Sequence, residues 1–168
     1  MKKLNLMAAL LLMVATLFSA AGAPHRPCLL LTQDGVAALR AEMGKNPLVD
    51  KAFAQAKAVA DKAVSEPVVV PQPLDVGGGY SHEKHKENYM QMYQAGVVYQ
   101  LTGEKKYAEF VRRMLLDYAE IYPDLPLYPA RFTKPPGKII YQVLNEADCL
   151  AFTANAYDCV YDHIPAAE

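Results

Sequence analysis

Tyr107-Ala-Glu-Phe-Val-Arg-Arg-Met-Leu-Leu-Asp-Tyr118 decides the fold class of this chain. Tyr107, Phe110, Val111, Met114, Leu115 and Tyr118 recur at steps of three and four, while Glu109, Arg112, Arg113 and Asp117 fall between them. That is one apolar face on a 3.6-residue period, so the stretch is an amphipathic helix with a core to its side. Upstream, Gly103 stands where a left-handed terminal residue is wanted, and Ser81 is placed to cap a helix running to about Thr102. Further back, Asn46-Pro47 supplies a cap and a first-turn proline, and Leu48, Ala52, Ala56, Val59 and Ala63 make one stripe. Thr32 caps a shorter helix carrying Val36, Leu39 and Met43, which Gly44 ends.

Two proline- and glycine-rich stretches interrupt this run of helices. Residues 65–79 hold three prolines and Gly77-Gly78-Gly79, and residues 122–137 hold five prolines, so both are loops. After the second, a helix from about Lys138 to Asp162 is expected. It is apolar on two flanks, Ile140, Leu144, Ala147, Ala151 and Ala154 on one and Val143, Leu150, Tyr157 and Tyr161 on the other, as befits a helix buried between layers. Val68 to Val70 is the one β-branched run, bracketed by prolines, and no strand is expected there. The fold is therefore read as all-α, built from antiparallel helical hairpins. No fixed repeat period appears, so an incomplete toroid of unlike hairpins is preferred to a solenoid.

The ends of the chain carry separate information. Met1-Lys2-Lys3, an apolar run from Leu6 to Phe18 and small residues from Ser19 to Ala23 have the build of a secretory signal peptide, assigned to residues 1–23. The run is shorter than the roughly 20 residues needed to span a bilayer, so export to the bacterial periplasm is expected, with no membrane attachment after cleavage. Ile164-Pro165-Ala166-Ala167-Glu168 reads as the turn into a further helix, and the chain is expected to stop short of a complete domain. A net charge of −1 with no Lys/Arg run argues against nucleic acid as a partner. Three cysteines, Cys28, Cys149 and Cys159, have no C-x-x-C spacing, and the two on the last helix are read as buried thiols.

Two polar clusters are candidates for chemistry. The first is Gly77 to Asn88. His82-Glu83 followed by His85 puts the histidines three apart, not the four of a zinc-binding H-E-x-x-H helix, so no metal is expected. The glycines lack a nucleotide-binding spacing, and no cofactor is expected, but with the helix start they have the makings of an anion nest. His82, Lys86, Tyr89 and Tyr93 share one helix face. That face is either a tyrosine-rich core stripe under a polar first turn, the heavier reading, or a surface that holds a sugar carboxylate and stacks its ring. The second cluster, Gln142, Asn145 and Glu146, sets polar groups in an apolar helix; these either cap nearby loops or project into a cleft.

The run Gly77-Gly-Gly-Tyr-Ser-His-Glu-Lys-His-Lys86, with Tyr99-Gln-Leu-Thr-Gly103, Gln142-Val-Leu-Asn-Glu-Ala147 and the opening Arg26-Pro-Cys-Leu-Leu-Leu-Thr32, resembles the N-terminal region of the family 17 polysaccharide lyases, the oligoalginate lyases, relatives of heparinase II/III. The resemblance covers nearly all of residues 24–168. It implies the N-terminal part of an (α/α) toroid, followed in that family by more helices and a β-sandwich. It also implies β-elimination at the 4-O-glycosidic bond of a uronate, with an acidic polysaccharide such as alginate as the partner. In the family an Asn-His pair neutralises the carboxylate and tyrosine and histidine move protons. No Asn-His dipeptide occurs here, so the catalytic residues are expected after Glu168. By the same resemblance Gln142 contacts the sugar, Asn145 is its neighbour, and Tyr80, His82 and Lys86 match the motif as further substrate-binding candidates. A heparan-type lyase of the same superfamily and a non-catalytic periplasmic carbohydrate-binding or scaffold protein are the alternatives.

Overall fold

A computed structural model describes residues 25–128 and 137–167. The expected signal peptide and the middle of the second loop lie outside the described residues. Five α-helices follow in order: α1 Gln33–Glu42, α2 Pro47–Ser65, α3 Tyr80–Thr102, α4 Lys105–Ile121 and α5 Val143–Val160, the last running into a 3-10 turn, Tyr161–His163. Among the described residues there is no strand; a single isolated bridge pairs Cys28 with Thr32. No described helix is long and apolar enough to cross a membrane.

The helix starts and stops follow local chemistry. Thr32 Oγ1 accepts from Gly35 N at 3.1 Å, and Asn46 Oδ1 accepts from Leu48 N at 3.1 Å with Pro47 in the first turn, so α1 and α2 begin where the caps were read. Gly103 adopts φ +75°, and the two-residue link Gly103-Glu104 folds α4 back along α3.

Helix α3 is the hub, packing on α1, α2, α4 and α5. Met92, Ala95 and Val98 are fully buried, and so are the polar His85 and Asn88. The helix buried around most of its girth is thus α3. The expectation that the last helix is sandwiched between layers does not hold: on α5 Leu144 is 74% and Leu150 70% exposed. Its other face meets α3 closely at Gly96, where an added Cβ would lie 3.0 Å from Cys159 Cβ and 3.4 Å from the Ala156 carbonyl oxygen. Tyr89 stacks on Phe152 with ring centroids 5.3 Å apart, and Tyr93 meets the same ring edge-on at 5.4 Å. Both tyrosines therefore belong to the α3–α5 packing, the core-stripe reading of that face. Cys149 and Cys159 are free thiols buried in this layer, their pKa values pushed up by burial to about 11 and about 12.

Two polar anchors tie the outer elements in. Tyr107 donates to Asp61 Oδ1 at 2.6 Å, joining α4 to α2. The entry segment is strapped to α5 by Asp158, which is 1% exposed and accepts from Arg26 Nη1 at 2.6 Å, Cys28 N at 2.7 Å and Leu29 N at 2.9 Å. Burial alone would raise the Asp158 pKa, but Arg26 and the two backbone N–H groups hold it below the usual carboxylate range.

Candidate functional site

Residues 74–82 form a closed loop around one carboxylate. Asp75 accepts from Ser81 N (3.0 Å), His82 N (2.9 Å) and the Ser81 hydroxyl (2.6 Å), while Ser81 Oγ accepts in turn from Leu74 N and Asp75 N. Helix α3 starts at Tyr80 with Gly79 as its N-cap residue, so Ser81 is inside the helix and Asp75 does the capping expected of Ser81. Capture by the Ser81 hydroxyl, then by the His82 N–H, keeps the Asp75 carboxyl ionised below its usual range. A Cβ on Gly79 would come within 2.4 Å of Asp75 Cγ, so only glycine fits. Glu83 Oε1 accepts from Gly78 N at 3.1 Å, and Glu83 also pairs with Lys86 at 3.3 Å. The anion nest anticipated at these glycines is therefore filled by Asp75 and Glu83, the protein's own carboxylates.

Beneath the loop lies a buried histidine layer. His82 is 2% exposed, and burial lowers its pKa; its ring sits 5.5 Å from that of Tyr141. His85 Nδ1 lies 2.8 Å from the Tyr118 hydroxyl, which also accepts from Asn88 Nδ2 at 3.1 Å; Asn88 Nδ2 donates to the Val69 carbonyl as well, at 2.9 Å. Burial pushes the His85 pKa down to about 4. The ring is therefore neutral at pH 7, with one nitrogen a donor and the other an acceptor, and its Nδ1 shares a hydrogen bond with the Tyr118 hydroxyl. This layer is held by α3 and α4 together, and it fixes the 66–79 connection through Val69.

The second cluster is built by one glutamate. Glu146 Oε2 accepts from the N–H groups of Lys138, Ile139 and Ile140, each at 2.9 Å, and Oε1 from Lys138 N at 3.0 Å. Three consecutive donors pointing at one carboxylate bend residues 138–140 over the start of α5. The helix consequently begins at Val143, five residues later than the apolar pattern predicts, and Gln142 is its N-cap. Glu146 is one of the polar residues read as either capping a loop or facing a cleft, and it caps the loop. Asn145 Nδ2 donates to Gln142 Oε1 at 2.8 Å, and both side chains are half-buried.

The two clusters, about sixty residues apart in sequence, meet through His82 and Tyr141, and Gly77 joins them: an added Cβ there would lie 3.6 Å from the Tyr141 hydroxyl. Gln142 follows Tyr141 directly, and the Gln142–Asn145 amide pair is half-buried. Lys86 is on the same face of α3 as His82 but engages Glu83, and Tyr80 is 68% exposed. Tyr118 was read only as part of an apolar face and Asn88 only as the end of the polar cluster, while Tyr128 and Asp75 escaped the sequence reading. Tyr128 is fully buried, its ring 6.2 Å from Tyr141. Of the two that escaped, Asp75, a carboxylate just before a glycine run, offered a signal in the sequence. Among the described residues no group of three His, Cys, Asp or Glu converges as metal ligands.

No protein-family model matches the chain. Over 166 residues, 99% of its length, it is 39% identical to an exo-oligoalginate lyase of Saccharophagus degradans. Over 128 residues, 76% of its length, it is 37% identical to an alginate lyase of Stenotrophomonas maltophilia. It spans 22% and 17% of those two proteins, about a fifth of the length of the curated relatives it matches.

Proposed function

Because this chain is a homologue of one section of the alginate lyases, we propose that it forms the N-terminal, helical part of a secreted, periplasmic enzyme that cleaves alginate oligomers by β-elimination. In this reading the five described helices belong to the first arc of an (α/α) toroid, and Gln142 and Asn145 form part of the wall that holds a uronate.

The supporting observation is the orientation of one amide. With Oε1 occupied by Asn145, Gln142 keeps its Nε2–H donors for a ligand. Donors at that position suit the C6 carboxylate or ring hydroxyls of a uronate. Elimination requires that carboxylate to be neutralised, so that a base takes the C5 proton, the C4–O bond breaks and a C4=C5 double bond forms. The described residues offer the binding half of this chemistry. His82 and His85 are buried and already engaged in packing, and neither serves as the base. Proton transfer is assigned to residues that follow residue 168 in the complete protein.

The test is a comparison of the complete protein with the 168-residue chain on mannuronate and guluronate oligomers, following the absorbance of the unsaturated uronate. The complete protein is expected to turn over and the isolated chain not. Turnover by the isolated chain would relocate the catalytic groups. Turnover of heparan-type polymers but not alginate by the complete protein would replace the substrate class.

A further inference from the structure

His82 is 2% exposed, too deeply buried to touch a polysaccharide itself. Burial lowers its pKa, so the ring is neutral at pH 7 and offers no cation to a carboxylate. Its Nδ1 has no hydrogen-bond partner among the described residues, and Nε2 lies 3.8 Å from Glu83 Oε1, beyond hydrogen-bond range. What this side chain gives its surroundings is a ring. That ring lies against Tyr141, with centroids 5.5 Å apart and planes tilted by 52°. Tyr141 has two further walls: an added Cβ on Gly77 would lie 3.6 Å from both its Cε1 and its hydroxyl, and the ring of the fully buried Tyr128 is 6.2 Å away.

Gln142 is the next residue, and its backbone is held from both sides. Its carbonyl accepts from Glu146 N at 3.0 Å, the first hydrogen bond of α5, and before it stands the enclosed Tyr141. A shift of the Tyr141 ring turns the peptide that joins it to Gln142, and the amide swings with it. We propose that His82 is a positioning residue for uronate binding: its ring seats Tyr141, and Tyr141 sets the direction in which the Gln142 amide points. His82 is a firm base for this role, because it sits in the first turn of α3 with its own N–H bound to Asp75 Oδ1 at 2.9 Å. The glycine loop and the Gln142–Asn145 pair are thereby joined through two stacked side chains, which fix the amide before a sugar arrives and so reduce the ordering that binding requires. The proposal rests on the assignment of Gln142 to the wall that holds a uronate.

A double-mutant cycle in the complete protein tests it, with kcat and KM measured on mannuronate oligomers. His82→Ala is expected to lower kcat/KM roughly tenfold in the parent, mostly through KM. In a Gln142→Ala background, where no amide is left to position, the same change should cost less than about twofold. His82→Phe keeps the ring and should recover most of the loss. Parent-like kinetics in His82→Ala, or a roughly tenfold effect that persists in the Gln142→Ala background, would overturn the proposal and leave the role of Gln142 standing. A folded His82→Phe variant as impaired as His82→Ala would also overturn it, since the ring nitrogens would then carry the effect. Full activity in Gln142→Ala alone would remove the sugar contact and the positioning role together. Should His82→Ala fail to fold, Tyr141→Leu, at the half-buried partner of the pair, enters the same cycle with the same expected outcomes.

Discussion

Asn145 donates to Gln142 Oε1 at 2.8 Å, and this one bond sets which end of the Gln142 amide is left for a ligand. Asn145→Asp removes the donor and supplies an acceptor, so the amide turns over and presents its carbonyl oxygen. In the complete protein kcat/KM on mannuronate oligomers is expected to fall about tenfold or more, the equivalent of about 1.4 kcal/mol. Asn145→Ser, which retains a hydroxyl donor, should recover part of it. Gln142→Ala should lower kcat/KM at least as far; wild-type kinetics in Gln142→Ala would remove this side chain from the cleft.

Glu146 gathers the N–H groups of Lys138, Ile139 and Ile140. Its replacement by alanine leaves three donors without their acceptor, at a cost of on the order of 3 kcal/mol. Gly137→Ala attacks the same knot from the other side, since the new Cβ would lie 2.1 Å from the Ile140 carbonyl oxygen and 2.4 Å from Glu146 Oε2. Urea unfolding curves of the two variants are expected to shift to lower midpoints with the slope unchanged.

Burial lowers the His85 pKa to about 4, below the roughly 6.5 of an unfolded histidine. Between those values the unfolded chain binds more protons, so stability is complete above pH 6.5 and is lost as pH falls toward 4. The loss is on the order of 2 kcal/mol by pH 5. His82, shifted in the same direction, adds to it. His85→Gln should flatten the pH dependence of Tm between pH 6.5 and 4; an unchanged slope would mean that His85 protonates without cost.

Asp158 holds Arg26 and the backbone of Cys28 and Leu29 against α5. Asp158→Ala is expected to lower stability by about 3 kcal/mol, because it strands a partly buried guanidinium and two backbone donors. The same variant should release residues 25–30 to rapid hydrogen exchange while α3 and α4 remain protected. Exchange rising uniformly over the whole chain would mean that the strap carries the global fold.

What the sequence determined by itself was whatever depends on neighbours along the chain. The caps Thr32 and Asn46, the left-handed Gly103, the face from Tyr107 to Tyr118 and the all-α class are set by three- and four-residue periods and by local donors and acceptors. The kinship with alginate lyases was legible in the glycine-to-lysine run and in Gln142 to Ala147. Only tertiary structure decided which helix is the hub, because an apolar flank reads the same whether another helix covers it or not: α3 is surrounded, and α5 keeps one flank open. It also moved the two helix starts. Asp75 displaced Ser81 as the cap, and Glu146 drew residues 138–140 out of the helical pattern, since a carboxylate collects backbone N–H groups wherever the fold brings them within 3 Å. The contact between His82 and Tyr141 has the same origin, as nothing local to either residue announces a partner so distant in the chain.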